Sequence, residues 1–301
     1  MKVKILGCGS ATPSLKHLPS CQIVEQNGRL FMVDCGEGAQ LSMRRAGVKF
    51  TRLHHIFISH LHGDHILGLP GLLSSLMLID YTGEMHVYML PEGIDVIKRV
   101  LDTFAHTPTY TLVFHPISTG KHVIYEDDSL TVETFSLCHL VPAVGFIFRE
   151  KPKKRHLKGD MVEFHQVPIR LRESLKLGAD FVKEDGTVIP NRALTTDPNP
   201  SRSYAYCSDT MYNPGVVQAV SGVDTLFHEA TYGDDKADKA AMRGHSTARD
   251  AGKAAAEAKV GKLVIGHFSK SYNGMERMLL EQAKEEFDNT LLANEGLEFE
   301  V

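Results

Sequence analysis

Long apolar segments are missing from this chain of 301 residues. No stretch reaches the run of roughly 18 apolar residues that predicts a transmembrane helix. The opening Met1-Lys2-Val3-Lys4-Ile5-Leu6-Gly7 is typical of a β-strand and lacks the longer apolar centre of a secretory signal peptide. The sequence therefore predicts a globular protein that does not associate with a membrane.

Cysteine is scarce, and its distribution is informative. The chain has five cysteines, an odd number, scattered from Cys8 to Cys207. A disulfide framework typically occurs in much shorter secreted chains. We therefore expect reduced thiols and a cytoplasmic location.

A strong excess of either charge is also absent, since the formal net charge is −4. The local distribution differs: between residues 149 and 176 there are nine Lys or Arg against four Asp or Glu, a local charge of +5. Prolines interrupt residues 150–200 repeatedly. We interpret this stretch as a flexible basic arm inserted into one domain that spans residues 1–301, although a solvated charged loop is the alternative. The cations that would contact a polyanion are Lys151, Lys153, Lys154, Arg155 and Lys158.

A dense group of metal-binding residue types lies near the start of the chain. A predicted strand over residues 53–58 precedes it, and leucines at helical spacing from Leu69 to Leu76 follow it. The group is thus a loop between two rigid elements. Neutral imidazoles with a carboxylate suit zinc, with manganese or iron as weaker options, whereas ordinary solvated or core histidines are the alternative. The pattern is H-x-H-x-D-H, formed by His60, His62, Asp64 and His65.

Further His and Asp residues follow predicted strands elsewhere in the chain. Strand ends converge when their loops share one sheet edge, and Asp209 could then bridge two ions. For each residue alone, an ordinary polar role remains open. The strand-end residues are His139, Asp209 and His267.

Three more residues could assist such a site. Asp34, in a glycine-rich turn, could orient a ligand histidine or be an ordinary turn residue. His245 precedes a predicted helix and could pair with Glu229, or it could be a polar residue of the helix cap.

Taken together, these motifs resemble the metallo-β-lactamase superfamily and, within it, the ribonuclease Z family of tRNA 3′-processing endonucleases. Three segments depart from the usual family pattern: Pro13–Leu18 in place of P-x-K-x-R-N, Lys270-Ser271-Tyr272 in place of Ser-Arg-Tyr, and Val167-Pro168-Ile169 in the arm. The matching segments are Asp34–Gln40, Ser59–His65, His139 with Pro142 and Gly145, Ser208–Thr210, His228–Thr231, Gly244–Ala248 and His267–Ser269.

The resemblance implies an α/β fold, the αββα sandwich, and removal of the 3′ trailer from tRNA precursors. It implies one zinc ion at His60, His62 and His139, a second at Asp64, His65 and His267, and Asp209 between them. Asp64 would accept a proton, and His245 with Glu229 would protonate the departing 3′ oxygen. Lys270 would replace an arginine that faces the phosphate, the arm would grip the tRNA elbow, and the protein would be a homodimer.

Three other readings are open at this point. A di-zinc phosphodiesterase or small-ester hydrolase of the same fold would not need a cationic arm. A di-iron redox protein usually needs a carboxylate in place of His62 and a flavin-binding partner domain. An RNA-binding protein with a structural zinc would more often use a closed, cysteine-rich ligand set.

Overall fold

The computed structural model describes residues 1–79, 81–104 and 109–301. The described residues form two compact units. The first unit contains residues 1–125, 131–148 and 202–301, and the second contains residues 126–130 and 149–201. Within the described ranges, no helix combines the length and the apolar character that a membrane span requires.

One seven-stranded sheet begins with antiparallel strands and continues with parallel ones. Asn27-Gly28, a dipeptide that favours a type I′ hairpin turn, connects the strands Cys21–Gln26 and Arg29–Cys35, and both residues have the positive φ that this turn requires, 50° and 78°. From edge to edge the strands are Glu298–Glu300, Lys2–Gly7, Cys21–Gln26, Arg29–Cys35, Leu53–Phe57, Glu84–Met89 and Thr111–Pro116.

A second seven-stranded sheet contains four neighbouring parallel strands. Parallel strands place their carboxyl ends at one edge, which brings residues that are distant in sequence together. From edge to edge the strands are Thr290–Leu292, Lys262–Gly266, Thr225–Glu229, Ser203–Cys207, Val144–Glu150, Leu130–Ser136 and Val123–Glu126.

Aromatic residues join the two sheets. The ring of Phe57 lies 5.6 Å from that of Phe146 and 5.7 Å from that of Phe148. Because neighbouring side chains on a strand point to opposite faces, Ile56 packs instead in the outer core with the helical leucines. The helices are Ala39–Arg45, Gly63–Ile66, Leu69–Leu78, Pro91–Phe104, Pro214–Ala219, Ala237–Met242, Ala248–Ala258 and Glu276–Glu286. Sheets inside and helices outside confirm the predicted α/β sandwich.

The second unit has secondary structure and an apolar cluster of its own. Its short paired strands are His156–Leu157 with Thr195–Thr196 and Phe181–Val182 with Val188–Ile189, and its helices are Gly159–Phe164, Arg172–Lys176 and Asn191–Leu194. The buried cluster contains Val162, Val167, Leu175, Phe181 and Leu194. The ends of the segment meet, because Ser201 Oγ donates a 2.9 Å hydrogen bond to the carbonyl of Lys151.

Turn residues, capping residues and apolar spacing in the sequence also predict where individual strands and helices begin and end, and some of these predictions are wrong. The single terminal strand expected over residues 291–300 is two short strands in different sheets, because Gly296 turns the chain with φ 88°. Lys259, with φ 53°, ends the helix that Gly261 was expected to stop. The last helix begins at Glu276 rather than at Asn273. The strand expected at 223–227 is Thr225–Glu229. Residue 105, the predicted end of the helix from Pro91, lies outside the described residues.

Candidate metal centre

All seven predicted metal-ligand side chains come together in the first unit. They form two neighbouring groups, and within each group the candidate ligand atoms lie within 4.8 Å of one another. The first group is His60, His62, His139 and Asp209, and the second is Asp64, His65 and His267.

The loop after strand Leu53–Phe57 supplies both groups. His60 lies just beyond that strand, and His62 stands directly before the helix Gly63–Ile66. Because the chain turns into the helix at Gly63, Asp64 and His65 belong to the second group instead of the first.

Three imidazole nitrogens converge in the first group. His62 Nδ1 lies 3.1 Å from His60 Nε2 and 3.2 Å from His139 Nε2. His139 Nδ1 donates a 2.7 Å hydrogen bond to the carbonyl of Gly244, so its Nε2 presents a lone pair to the group. Burial lowers the pKa of His60 to about 4 and also lowers the pKa of His62. Neutral nitrogens that face one another repel unless a cation lies between them, so this group fits a metal ion.

The second group is arranged in the same way. His65 Nε2 and Asp64 Oδ2 each lie 3.3 Å from His267 Nε2. Thr231 Oγ1 donates to Glu229 and therefore accepts the proton of His267 Nδ1, at 2.9 Å. Burial opposes the charged form of His65, yet Asp209 and Asp34 raise the pKa of His65 well above its usual value. These carboxylates favour a positive charge at His65. A metal ion bound to the neutral ring would provide that charge.

Asp209 reaches both groups with different oxygens. Its Oδ1 lies 3.3 Å from His65 Nε2 and 3.2 Å from His267 Nε2. Its Oδ2 lies 3.5 Å from His60 Nε2 and 3.8 Å from His139 Nε2. Burial opposes ionisation, but the surrounding histidines hold the pKa of Asp209 well below its usual range. This geometry suits a carboxylate shared between two ions.

Asp34 is fully buried behind the second group. It is the second-last residue of strand Arg29–Cys35 and has a left-handed conformation, φ 55°. Its carboxylate accepts hydrogen bonds from His65 Nδ1 and Tyr206 Oη, both at 2.7 Å, and from the backbone N–H and side chain of Ser59 at 2.7 and 2.9 Å. Of the two roles left open by the sequence, the contacts favour orientation of a ligand ring.

His245 forms the predicted pair with Glu229. Its Nδ1 lies 2.9 Å from Glu229 Oε1, and Glu229 is fully buried. Glu229 is fixed in turn by the backbone N–H of Thr210 at 2.9 Å and the hydroxyl of Thr231 at 2.6 Å. Although burial opposes the charged ring, Glu229 raises the pKa of His245 to about 9. The pair with Glu229 favours the protonated ring, which can donate a proton.

A cavity of about 430 Å³ opens onto the ligand groups. His62, Asp64, His139, Asp209, His245 and His267 line it together with Ala11, Pro13, Pro19, Glu37, Gly63, Leu67, Leu140 and Arg243. Lys270 is exposed in the turn Lys270–Tyr272 and is not among the described residues that line the cavity.

Sequence reasoning missed several groups of this site. Ala11, with φ 48°, donates its backbone N–H to Asp64 Oδ2 at 2.6 Å. Backbone donors of this kind leave no mark in a side-chain pattern. Arg243 gave a weak signal, since it stands directly before the Gly244–Ala248 motif.

The five predicted arm cations lie in the second unit and have internal partners. Lys151 pairs with Glu126 at 2.6 Å and Lys153 with Glu150 at 2.5 Å. Across residues 126–130 and 149–201, eleven Lys and Arg are matched by eleven Asp and Glu, so the unit has no net charge. The other pairs are Lys154 with Glu173, Arg155 with Asp197, and Lys158 Nζ with the carbonyl of Arg192 at 3.0 Å.

Two seven-stranded sheets between helices, with His and Asp clusters at their strand ends, define a metallo-β-lactamase-fold protein with groups that can hold metal ions. Solved structures share this fold. The short form of human tRNase Z has a TM-score of 0.73 and 25% identity, with 100% of this chain and 99% of that chain covered. The metallo-β-lactamase-fold protein YhfI from Bacillus subtilis has a TM-score of 0.68 and 17% identity, with the same coverage.

Sequence relatives identify the family. Ribonuclease Z of Bacteroides fragilis (strain YCH46) is 46% identical over 98% of this chain and 97% of its own length. Ribonuclease Z of Phocaeicola vulgatus is 44% identical over 100% of this chain and 97% of its own length. Residues 1–173 also match the family model described as Anti-Pycsar protein Apyc1. This chain belongs to the ribonuclease Z family, whose members match it from end to end.

Proposed function

We propose that this protein is a zinc-dependent endoribonuclease that hydrolyses a phosphodiester bond to remove the 3′ trailer from tRNA precursors. The observation that carries the proposal is the pair of ligand groups joined by Asp209. These ligand groups lie in a chain that is related to ribonuclease Z over almost its whole length.

Two zinc ions would be held in each subunit. His60, His62 and His139 would bind one, Asp64, His65 and His267 the other, and Asp209 would contribute one oxygen to each. Bound zinc would stabilise the developing charge on the phosphate and make water acidic enough to lose a proton near neutral pH.

The protein side chains divide the proton transfers between them. Asp64, held by the N–H of Ala11, would accept a proton from the attacking water. His245, kept protonated by Glu229, would donate a proton to the departing 3′ oxygen. The carboxylate and the imidazolium both line the cavity, so both can reach a bound phosphodiester.

The second unit would grip the tRNA away from the cut. Its cations, from Lys151 to Lys158, would exchange their internal partners for RNA phosphates. Lys270 would add a contact nearer the cleavage site. Phosphate contacts position a substrate without reading its bases, which suits an enzyme that acts on many tRNAs of one shape. We further propose a homodimer in the cytoplasm.

The deciding experiment is incubation of the zinc-loaded protein with a tRNA precursor and mapping of both product ends. We expect one cut at the 3′ side of the mature tRNA, no cut after chelation, and no cut by Asp64→Ala. A parallel assay with a small chromogenic phosphodiester tests the alternative hydrolase. Cleavage of the small diester without cleavage of the precursor would reject the RNA-processing function.

A further inference from the structure

Arg243 stands apart from the residues already assigned to the site. It is exposed and lines the catalytic cavity together with His62, His245 and Asp209. Among the described residues that line this cavity, it is the only one that carries a permanent positive charge. No described residue makes a hydrogen bond or ion pair with its guanidinium, so the charge is available to a ligand.

Backbone hydrogen bonds hold Arg243 in place two residues before His245. Its N–H bonds to the carbonyls of Lys239 and Ala240, both at 3.1 Å, and the N–H of His245 bonds to Ala240 at 2.9 Å. The next residue, Gly244, has φ 72°, and a Cβ there would lie 2.8 Å from His139 Nδ1. A glycine is therefore required at this position, directly between Arg243 and His245 in the chain.

The other walls of the cavity fit a nucleotide. Leu67 and Leu140 are 66% and 65% exposed at the cavity and offer apolar surface to a base or sugar. The volume of about 430 Å³ is within the ~300–1,000 Å³ usual for small-molecule sites. The other permanent charges of the lining are negative and belong to Asp64, Asp209 and exposed Glu37. These carboxylates would repel the phosphate of a substrate unless a cation were paired with it.

We propose that Arg243 binds the phosphate of a nucleotide next to the cleaved bond in the RNA substrate. This inference rests on the proposed ribonuclease function. A guanidinium offers two parallel N–H donors that match two phosphate oxygens, which a lysine ammonium cannot reproduce. Arg243 thus places a cation at the cavity. Exposed Lys270 is not among the described residues that line the cavity.

The test combines Arg243→Ala with precursors that carry one uncharged methylphosphonate in place of a phosphate near the cut. A charge-assisted hydrogen bond corresponds to ~10–100-fold in kcat/KM, so Arg243→Ala should lose about that factor. One methylphosphonate should cost the wild type a similar factor and cost Arg243→Ala almost nothing more, because both changes remove the same contact. Arg243→Lys should recover part of the loss.

The matched control is Arg277→Ala, which removes an arginine that is 90% exposed and does not line the cavity. Equal zinc content and melting temperature in all variants would show that the fold and ligand groups are intact. If Arg243→Ala behaved like Arg277→Ala, or if its effect simply multiplied with every methylphosphonate, the inference would be wrong while the wild-type function stood. If the wild type left the unmodified precursor uncut, the proposed function and this inference would both fail.

Discussion

At the scale of single residues, the orientation of the ligand rings depends on hydrogen bonds behind them. Asp34 is the strongest case, since four hydrogen bonds converge on one buried carboxylate. Asp34→Asn keeps the shape but turns one acceptor into a donor that faces Ser59, His65 or Tyr206. We expect ~10–100-fold weaker zinc affinity, as is typical when a partner of a ligand histidine is lost. Competition with a chelator would measure it.

Tyr206→Phe is the matched control for Asp34. It removes one donor from the same carboxylate and leaves the contact with His65 in place. We expect a much smaller change in zinc affinity. If both variants weakened zinc binding equally, general loss of packing around Asp34 would explain the effect better than ring orientation.

His245 and Glu229 make a second prediction at this scale. Removal of the proton donor in His245→Ala should lower kcat for the tRNA precursor by ~10²–10⁴-fold with little change in KM. Glu229→Gln should lower kcat less, because the ring remains but loses the charge that raises its pKa to about 9. Steady-state kinetics with equal zinc loading would check both. Near-normal kcat in His245→Ala would remove this residue from the mechanism.

At the scale of elements, local sequence patterns predicted most of what holds the site. The leucine spacing predicts the helix Leu69–Leu78, and the Thr247-x-x-Asp250 pattern, typical of a capping box, forms one at the helix Ala248–Ala258. Candidate ligands were visible because His and Asp follow strands. Their convergence was not visible, because the order of strands within the sheets sets it.

Two kinds of contact escaped prediction for physical reasons. Ala11 acts through its backbone N–H and Gly244 through its backbone C=O. Because nearly every residue type has both groups, the sequence does not show which of them contact the site. The net charge of the arm follows from the sequence, but the pairing of its charges does not, since Glu126 and Asp197 approach Lys151 and Arg155 only in the folded unit. A charge count therefore overstated the cationic surface.

The loop around His17 gives a prediction about pH. His17 lies between Glu295, 3.0 Å from its Nδ1, and Glu276, 3.1 Å from its Nε2, with Cys8 Sγ at 3.4 Å and Lys16 paired to Glu276. Burial opposes the charged ring, yet the two carboxylates raise the pKa of His17. Burial also opposes ionisation of Glu276, but its hydrogen bonds, chiefly from Lys16, lower the pKa of Glu276 to about 2.

These shifts determine when the loop stabilises the fold. Because the pKa of His17 is higher in the folded protein than its unfolded value of 6.5, its protonated ring stabilises the fold fully below pH 6.5. This stabilisation is lost as the pH rises through the folded pKa. Because the pKa of Glu276 is lowered from 4.5 to about 2, its carboxylate stabilises the fold fully above pH 4.5. This stabilisation is lost as the pH falls toward 2. The melting temperature of His17→Gln should therefore fall furthest below wild type at about pH 5–6 and approach it on both sides. A difference independent of pH would show that His17 acts by packing alone.

At the scale of the whole molecule, the second unit separates an RNA enzyme from a general diesterase. Its apolar cluster lies entirely within residues 152–200, and the hydrogen bond between Ser201 and Lys151 holds the flanking chain ends together. Replacement of residues 152–200 by two glycines therefore removes a complete cluster and leaves adjacent ends to be joined. The candidate metal ligands all lie in the first unit and should be retained.

We predict that this deletion raises KM for a tRNA precursor strongly and flattens its dependence on salt, because each lost phosphate contact removes a released counterion. Hydrolysis of a small chromogenic phosphodiester should change little, since that substrate reaches only the metal centre. A second variant that replaces Lys151, Lys153, Lys154, Arg155 and Lys158 by Gln, with the unit retained, separates charge from shape. If this variant matched the wild type in KM and salt dependence while the deletion did not, other groups of the unit would make the phosphate contacts. Equal damage to both substrates in a folded, zinc-loaded deletion would instead make the unit part of the active site, and no damage to either would exclude it from tRNA binding.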